Sequence, residues 1–256
     1  MIARAITVSG GLAVRNLLLV RRMPSVFLPA LIMPVFILVA TAGAFGGIGA
    51  IPQLEGYSYL AFTVPLATVM GGGFAGINAG MTLARDIQGG FVDRLVASPA
   101  PRVVLILGPL IAACARSLVT TTAVLAAAAL GGVLPPGIVG TTVIYGMAAL
   151  FAAATACWAM GVALQTRSVQ SIPLMQIAVF LSVFLSVAYV PRELQTGWLR
   201  VAADLNPVTR ILEASRATEF EGVSWSTLGP GLAASALLIA GLGLFALAGL
   251  RGLGRR

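Results

Sequence analysis

The residues that could carry chemistry in this chain are few, and their types exclude several classes of function. The 256 residues include eight acidic and sixteen basic side chains, and every basic one is arginine. Without lysine the chain cannot form a Walker A loop, which places a lysine on the nucleotide phosphates. Without histidine it cannot build imidazole metal sites or histidine proton relays. Cys114 and Cys157 lie in apolar stretches and are interpreted as packing residues. The sequence therefore predicts no catalytic residues, no metal site and no cofactor bound by this chain.

The first polar segment, residues 84–102, combines charges with a short amphipathic pattern. Phe91 and Leu95 stand at i and i+4, on one face of two helical turns, and Pro99 and Pro101 end that helix. A short helix with one apolar face and flanking charges has a form suited to docking into a partner's groove. An ordinary amphipathic connector at the membrane surface explains the pattern equally well.

The second polar segment, residues 191–227, is long for a connector and is expected to have structure of its own. Asn206 and Pro207 are typical of a helix cap followed by proline at the first helical position, with the helix continuing to Phe220. A short helix that enters the outer leaflet partway is one arrangement of this segment.

The elements that position these segments are predicted to be membrane-spanning helices. Hydrophobic residues make up 59% of the chain and charged residues only 9%, too few polar residues to cover a soluble domain. The apolar runs are continuous rather than alternating, which favours helices, and each approaches the roughly 20 residues that span a bilayer. The six predicted spans are approximately 24–46, 58–83, 110–133, 138–163, 172–190 and 228–250.

The arginines predict the orientation. With six spans, the amino terminus, the loop 84–102, the loop after the fourth span and the tail all lie on one side, and most arginines lie in them. The positive-inside rule therefore predicts that both termini are cytoplasmic. The net charge of +8 is explained in this way without a nucleic-acid partner.

Residues 1–22 are expected to form an amphipathic helix in the cytoplasmic interface. At 100° per residue, Arg4, Arg15 and Arg22 fall within about 20° of one another. Gly10 and Gly11 could divide this helix into two, and a flexible basic flank is the alternative.

Arg116 is the one charge inside an apolar stretch. The stretch from 103 to 134 is longer than a bilayer requires, which predicts that Arg116 lies near the inner leaflet. There it could reach lipid phosphates, pair with Asp86 or Asp93, or act as a gating charge in the transport path.

Small residues recur every four positions in the second span, at Gly72, Gly76 and Gly80. Such a stripe lets another helix approach closely. The partner helix belongs either to the same chain or to a second subunit.

The two polar segments, in this order, resemble those of the type-2 ABC exporter permeases, especially the daunorubicin-resistance-like permeases of actinobacteria. In the first segment the matching residues are Asp86, Gly89 or Gly90, Asp93-Arg94-Leu95, Pro99 and Arg102. In the second they are Phe184-Leu185-Ser186, Pro191, Asn206-Pro207-Val208-Thr209 and Ala214-Ser215-Arg216. Arg116 also matches a commonly basic position, whereas Thr196-Gly197-Trp198 departs from the family, which often has proline before the tryptophan.

The resemblance implies a single all-α integral membrane domain of six transmembrane helices in a bacterial cell membrane. An interfacial helix would precede the first span, and extracellular re-entrant helices, including Asn206, Pro207 and Arg216, would precede the last. The loop 84–102 would hold the coupling helix. The residues expected to couple to the ATPase are Asp86, Phe91, Asp93, Arg94 and Leu95.

The expected partners are two copies of a cytoplasmic ABC ATPase, which binds ATP and Mg²⁺, a second permease that is identical or paralogous, and membrane lipid. The expected function is export of a drug, antibiotic or lipid-like molecule, which includes multidrug efflux. The alternatives are an ion- or proton-coupled secondary transporter and a non-transporting membrane scaffold. The first of these usually needs an ionisable group near the midplane, and no predicted span contains an acid.

Overall fold

The computed structural model describes residues 2–22, 24–45, 58–98, 101–190, 192–220 and 222–252. Side chains are described throughout these ranges except at 2–5, 20–22, 25–26 and 193. Nearly all of this part of the chain is helical, and none of it forms a strand. Its α-helices are α1 (Ile2–Arg22), α2 (Pro24–Phe45), α3 (Tyr59–Gln88), α4 (Phe91–Val96), α5 (Val104–Leu130), α6 (Gly137–Thr166), α7 (Ile172–Phe184), α8 (Gly197–Leu205), α9 (Pro207–Phe220) and α10 (Trp225–Gly252).

Five of these helices, α2, α3, α5, α6 and α10, are long and apolar enough to cross a membrane. They coincide with five of the six predicted spans. The remaining one, predicted over 172–190, is helical only as α7, whose 13 residues rise about 20 Å against the roughly 30 Å of a hydrocarbon core. The count of six spans is therefore not confirmed. The five long apolar helices agree with the prediction of an integral membrane protein.

The centre of the molecule is the pair α3 and α6, most of whose residues are buried. The glycine stripe of α3 faces α6 of the same chain. A Cβ on Gly76 would come within 2.6 Å of the backbone nitrogen of Ala156, and one on Gly80 within 2.6 Å of the carbonyl oxygen of Ala159. A Cβ on Gly72 would overlap the carbonyl of Ala148. The stripe therefore allows backbone-to-backbone approach of two helices within one subunit.

Helix α1 is continuous through Gly10 and Gly11 and packs along the start of α5. The two helices meet closely at Gly108 of α5, where an added Cβ would lie 2.5 Å from the Cβ of Leu12. Helix α5 begins at Val104, before the span predicted over 110–133, and so includes the start of the long apolar stretch from 103.

Several predictions fall outside the described residues. These concern Pro99, Pro191, the end of the arginine-containing tail, and the side chains of Arg4 and Arg22.

Candidate functional site

The predicted coupling helix is α4, which lies between α3 and α5. Gly90, with a φ of 69°, adopts the left-handed conformation that turns the chain from the end of α3 into α4. Val92 is buried against the main core, and Leu95 and Val96 are partly buried against it. The apolar side of this short helix is thus largely covered by the chain's own core.

Asp86, in the last turn of α3, forms a two-pronged ion pair with Arg15 of α1. The Arg15 Nη1 and Nη2 atoms each donate to one carboxylate oxygen of Asp86 at 2.7 Å. The hydrogen bond to Asp86 also raises the pKa of Arg15. The Arg15 guanidinium also lies 4.1 Å from the ring centre of Phe91. One arginine therefore joins the amino-terminal helix to both the end of α3 and the start of α4.

Asp93 and Arg94 differ from these residues because both are exposed. Neither forms an ion pair with any side chain in the described part of the chain. Of the five predicted coupling residues, these two present unpaired charges at the surface of α4. Asp86 and Phe91 are engaged by Arg15, a contact that sequence reasoning missed because its partners are 71 residues apart.

A cleft with a volume of about 510 Å³ lies between α2, α3 and α7. Its lining residues are Leu28, Pro29, Ala30, Ile32, Met33, Phe74, Ile77, Asn78, Met81, Gln176 and Phe180. Phe74 and Phe180 meet edge to face with ring centres 5.5 Å apart. The amides of Asn78 and Gln176 are the polar groups of this otherwise apolar surface, which is the usual composition of a small-molecule site.

Arg116 is buried in α5, with only 8% of its surface exposed. Its Nη1 donates to the backbone oxygen of Asn16 in α1 at 3.3 Å, and its guanidinium lies 5.3 Å from the ring centre of Phe27 in α2. Neither acid anticipated for it is its partner, since Asp86 pairs with Arg15 and Asp93 is exposed without an ion pair.

The predicted outer segment folds into α8 and α9, and the second helix has the predicted bounds, Pro207 to Phe220. Asn206 caps α9 by accepting from the backbone nitrogen of Val208 at 3.0 Å. Its side-chain nitrogen donates to the carbonyl of Ser182, near the end of α7. This one side chain thus satisfies backbone groups at two helix ends.

Other side chains bind the carbonyls that follow α7. Arg216 donates to the carbonyl oxygen of Val187 at 3.0 Å and to that of Ala188 at 3.3 Å. Its guanidinium also lies 3.7 Å from the ring centre of Phe62.

Two further side chains donate to carbonyls that follow α7. The Tyr59 hydroxyl donates to Tyr189 at 3.0 Å, and Gln195 donates to Ser186 at 3.1 Å. Side chains from elsewhere thus bind one carbonyl in the last turn of α7, that of Ser182, and the carbonyls of residues 186–189 beyond it. The chain can therefore leave the helix at Phe184, because lipid could not satisfy these groups.

Charged residues of the outer segment also pair with one another. Arg192 contacts Asp204 and lies 3.7 Å from Glu213, which accepts from Arg210 at 2.9 Å. Burial raises the pKa of Glu219, in the last turn of α9, to about 7.

Comparison with known families gives one match. A family model described as ABC-2 type transporter matches residues 10–220, which include α2 to α9 and most of α1. No curated protein matches the chain significantly.

Proposed function

The chain belongs to the ABC-2 type transporter family, and we propose that it is the permease subunit of an ABC exporter for hydrophobic or amphipathic molecules. Membership implies a membrane-embedded component that associates with an ABC ATPase. The observation that supports the export of an apolar cargo is the cleft between α2, α3 and α7. Its aromatic and aliphatic walls with two amides suit an amphipathic drug, antibiotic or lipid-like molecule better than an ion.

The proposed coupling surface is the exposed side of α4, with Asp93 and Arg94. Two copies of the ATPase would bind ATP and Mg²⁺ and dock on two permeases, which are identical or paralogous. The charges of Asp93 and Arg94 suit a charged rim on the ATPase groove. A force on α4 would pass through Phe91 and Asp86 to Arg15, and so would reach α1 and α3 together.

The proposed topology keeps six crossings in a bacterial cell membrane with both termini cytoplasmic. Helix α7 and the hydrogen-bonded residues 185–190 would make the fifth crossing jointly. The outer segment would then close the extracellular side of the cleft. ATP-driven movement of the paired permeases would expose the cleft to one side and then to the other. The two polar segments resemble those of the daunorubicin-resistance-like subfamily, and on that resemblance we propose that the chain is a member of it.

The coupling proposal is tested by reversing one exposed charge. The chain is co-expressed with the ABC ATPase encoded beside it, and the complex is isolated and its ATPase activity measured in proteoliposomes. We expect Arg94→Glu to reduce ATPase co-purification about tenfold, the effect of losing one charged contact at an interface. Arg200→Glu is the matched control, because Arg200 is exposed in α8 on the proposed outer side.

Retention of the ATPase by the Arg94→Glu variant with unchanged coupled activity would overturn the docking role of α4. Transport that continues without any ATPase would overturn the exporter proposal and favour a secondary transporter.

A further inference from the structure

A second cavity lies where α1 and α2 meet α3 and α5, and it shares Leu28, Ala30 and Asn78 with the cleft described above. We call it the Arg116 pocket, and its volume is about 330 Å³. Its apolar wall includes Leu17, Phe27, Leu28, Leu31 and Val119. The polar groups of its lining include the Arg116 guanidinium and the amide of Asn78. The pocket is therefore apolar with a cation in its wall.

The hydrogen bonding of Arg116 is incomplete. Its Nη1 donates to the carbonyl of Asn16, but Nε and Nη2 have no hydrogen-bond partner among the described residues. These two nitrogens form one edge of the planar guanidinium and present parallel N–H donors, the arrangement that binds two oxygens of a carboxylate or phosphate. Arg116 is only 8% exposed and lies beside apolar side chains, so burying its charge costs free energy unless an anion pairs with it.

The surroundings of the pocket indicate where that anion comes from. Leu28 is 52% exposed and Val119 is 62% exposed, so the pocket opens sideways between α2 and α5. In a membrane-embedded protein this direction faces lipid. Basic pockets between transmembrane helices bind the headgroups of anionic lipids.

We propose that the Arg116 pocket binds one anionic phospholipid. Two phosphate oxygens accept from Nε and Nη2 of Arg116, and the adjoining part of an acyl chain packs on Leu28 and Val119. The lipid thereby fills the space between α2 and the α3–α5 pair. This inference does not depend on the cargo or on the ATPase.

The test compares two lipids that differ only in headgroup charge. The full chain, purified in detergent, is incubated with phosphatidylglycerol or with phosphatidylcholine of the same acyl chains, and bound lipid is counted by native mass spectrometry. We expect the wild type to retain one phosphatidylglycerol per chain, with a midpoint concentration at least about tenfold lower than for phosphatidylcholine, as one charge-assisted hydrogen bond requires.

The decisive variant is Arg116→Met, which keeps the side chain long and apolar but removes the donors. It should lose the preference for phosphatidylglycerol, whereas Arg251→Met, which removes an exposed arginine at the end of α10, should keep it. If Arg116→Met does not fold, Val119→Trp serves instead, because it obstructs an exposed wall of the pocket and leaves the guanidinium in place.

Three results would overturn the proposal. The first is equal retention of the two lipids by the wild type, and the second is a preference that survives both Arg116→Met and Val119→Trp. The third is complete displacement of the lipid by millimolar inorganic phosphate, which would identify a site for free anions. A preference lost in the pocket variants and kept in Arg251→Met supports it, whatever the outcome of the ATPase experiments.

Discussion

At the scale of single residues, Arg15 carries the contact that most directly links separate parts of the fold. We expect Arg15→Gln and Asp86→Asn each to destabilise the protein by roughly 1 kcal/mol, the upper part of the range for partly exposed pairs, because both oxygens of Asp86 are engaged. In a double-mutant cycle the two changes should be less than additive, since either one removes the same contact. Thermal unfolding of the purified chain measures this coupling.

The same variants test whether the contact transmits force or only holds the fold. ATPase stimulation by cargo should fall in both single variants while ATPase binding is kept, because the charges of α4 at Asp93 and Arg94 are untouched. Fully additive effects on stability would show that Arg15 and Asp86 are not paired in the membrane.

At the scale of helices, the close approach of α3 to α6 depends on residues without side chains. We expect Gly76→Ala to destabilise the chain by about 1–3 kcal/mol, because its Cβ would overlap the backbone of α6 at Ala156. Gly146→Ala is the matched control, since a Cβ at Gly146 meets no atom within 4 Å. That control should be stabilising by about 0.5–1 kcal/mol through helix propensity. Thermal unfolding of both variants in one detergent provides the measurement.

Equal effects of the two changes would show that α3 and α6 do not meet along this stripe. A loss of dimer in Gly76→Ala without loss of stability would place the stripe at a subunit interface instead.

At the scale of the whole molecule, the crossing at α7 decides the topology. Single cysteines are introduced at the exposed positions Gln170 and Thr196, before and after α7, in a chain with Cys114 and Cys157 replaced by alanine. We expect a membrane-impermeant thiol reagent added to intact cells to label position 196 and not position 170. Labelling of neither position, or of both, would mean that α7 returns to the side from which it enters.

Much of this architecture is predictable from the sequence because its cause is local. Long uncharged runs predict the spanning helices, and the Asn206-Pro207 cap predicts where α9 begins. The end of α7 is different, since the residues up to 190 are as apolar as those before them. Residues later in the chain allow that helix to stop at Phe184. Asn206 donates to the Ser182 carbonyl in its last turn, and Gln195 and Arg216 donate to carbonyls of residues 186–188 just beyond it.

The candidate sites also include features that local sequence predicts and features that depend on distant packing. The position of α4 follows from the spacing of Phe91 and Leu95 and from the prolines after them, whereas the partner of Asp86 depends on packing between segments far apart in sequence. The unsatisfied donors of Arg116 likewise become visible only when α1 and α2 are placed against α5.

The pairing of Arg15 with Asp86 also bears on biosynthesis. Arg15 leaves the ribosome well before Asp86, which follows 71 residues later and after the whole of α2 and nearly all of α3. Chains emerge amino terminus first, so Arg15 of α1 has no Asp86 to pair with while the first two spans enter the bilayer. The Arg15–Asp86 pair can form only once the hairpin of α2 and α3 is complete. A chain that stops before residue 86 therefore lacks the ion pair that holds α1 to the end of α3.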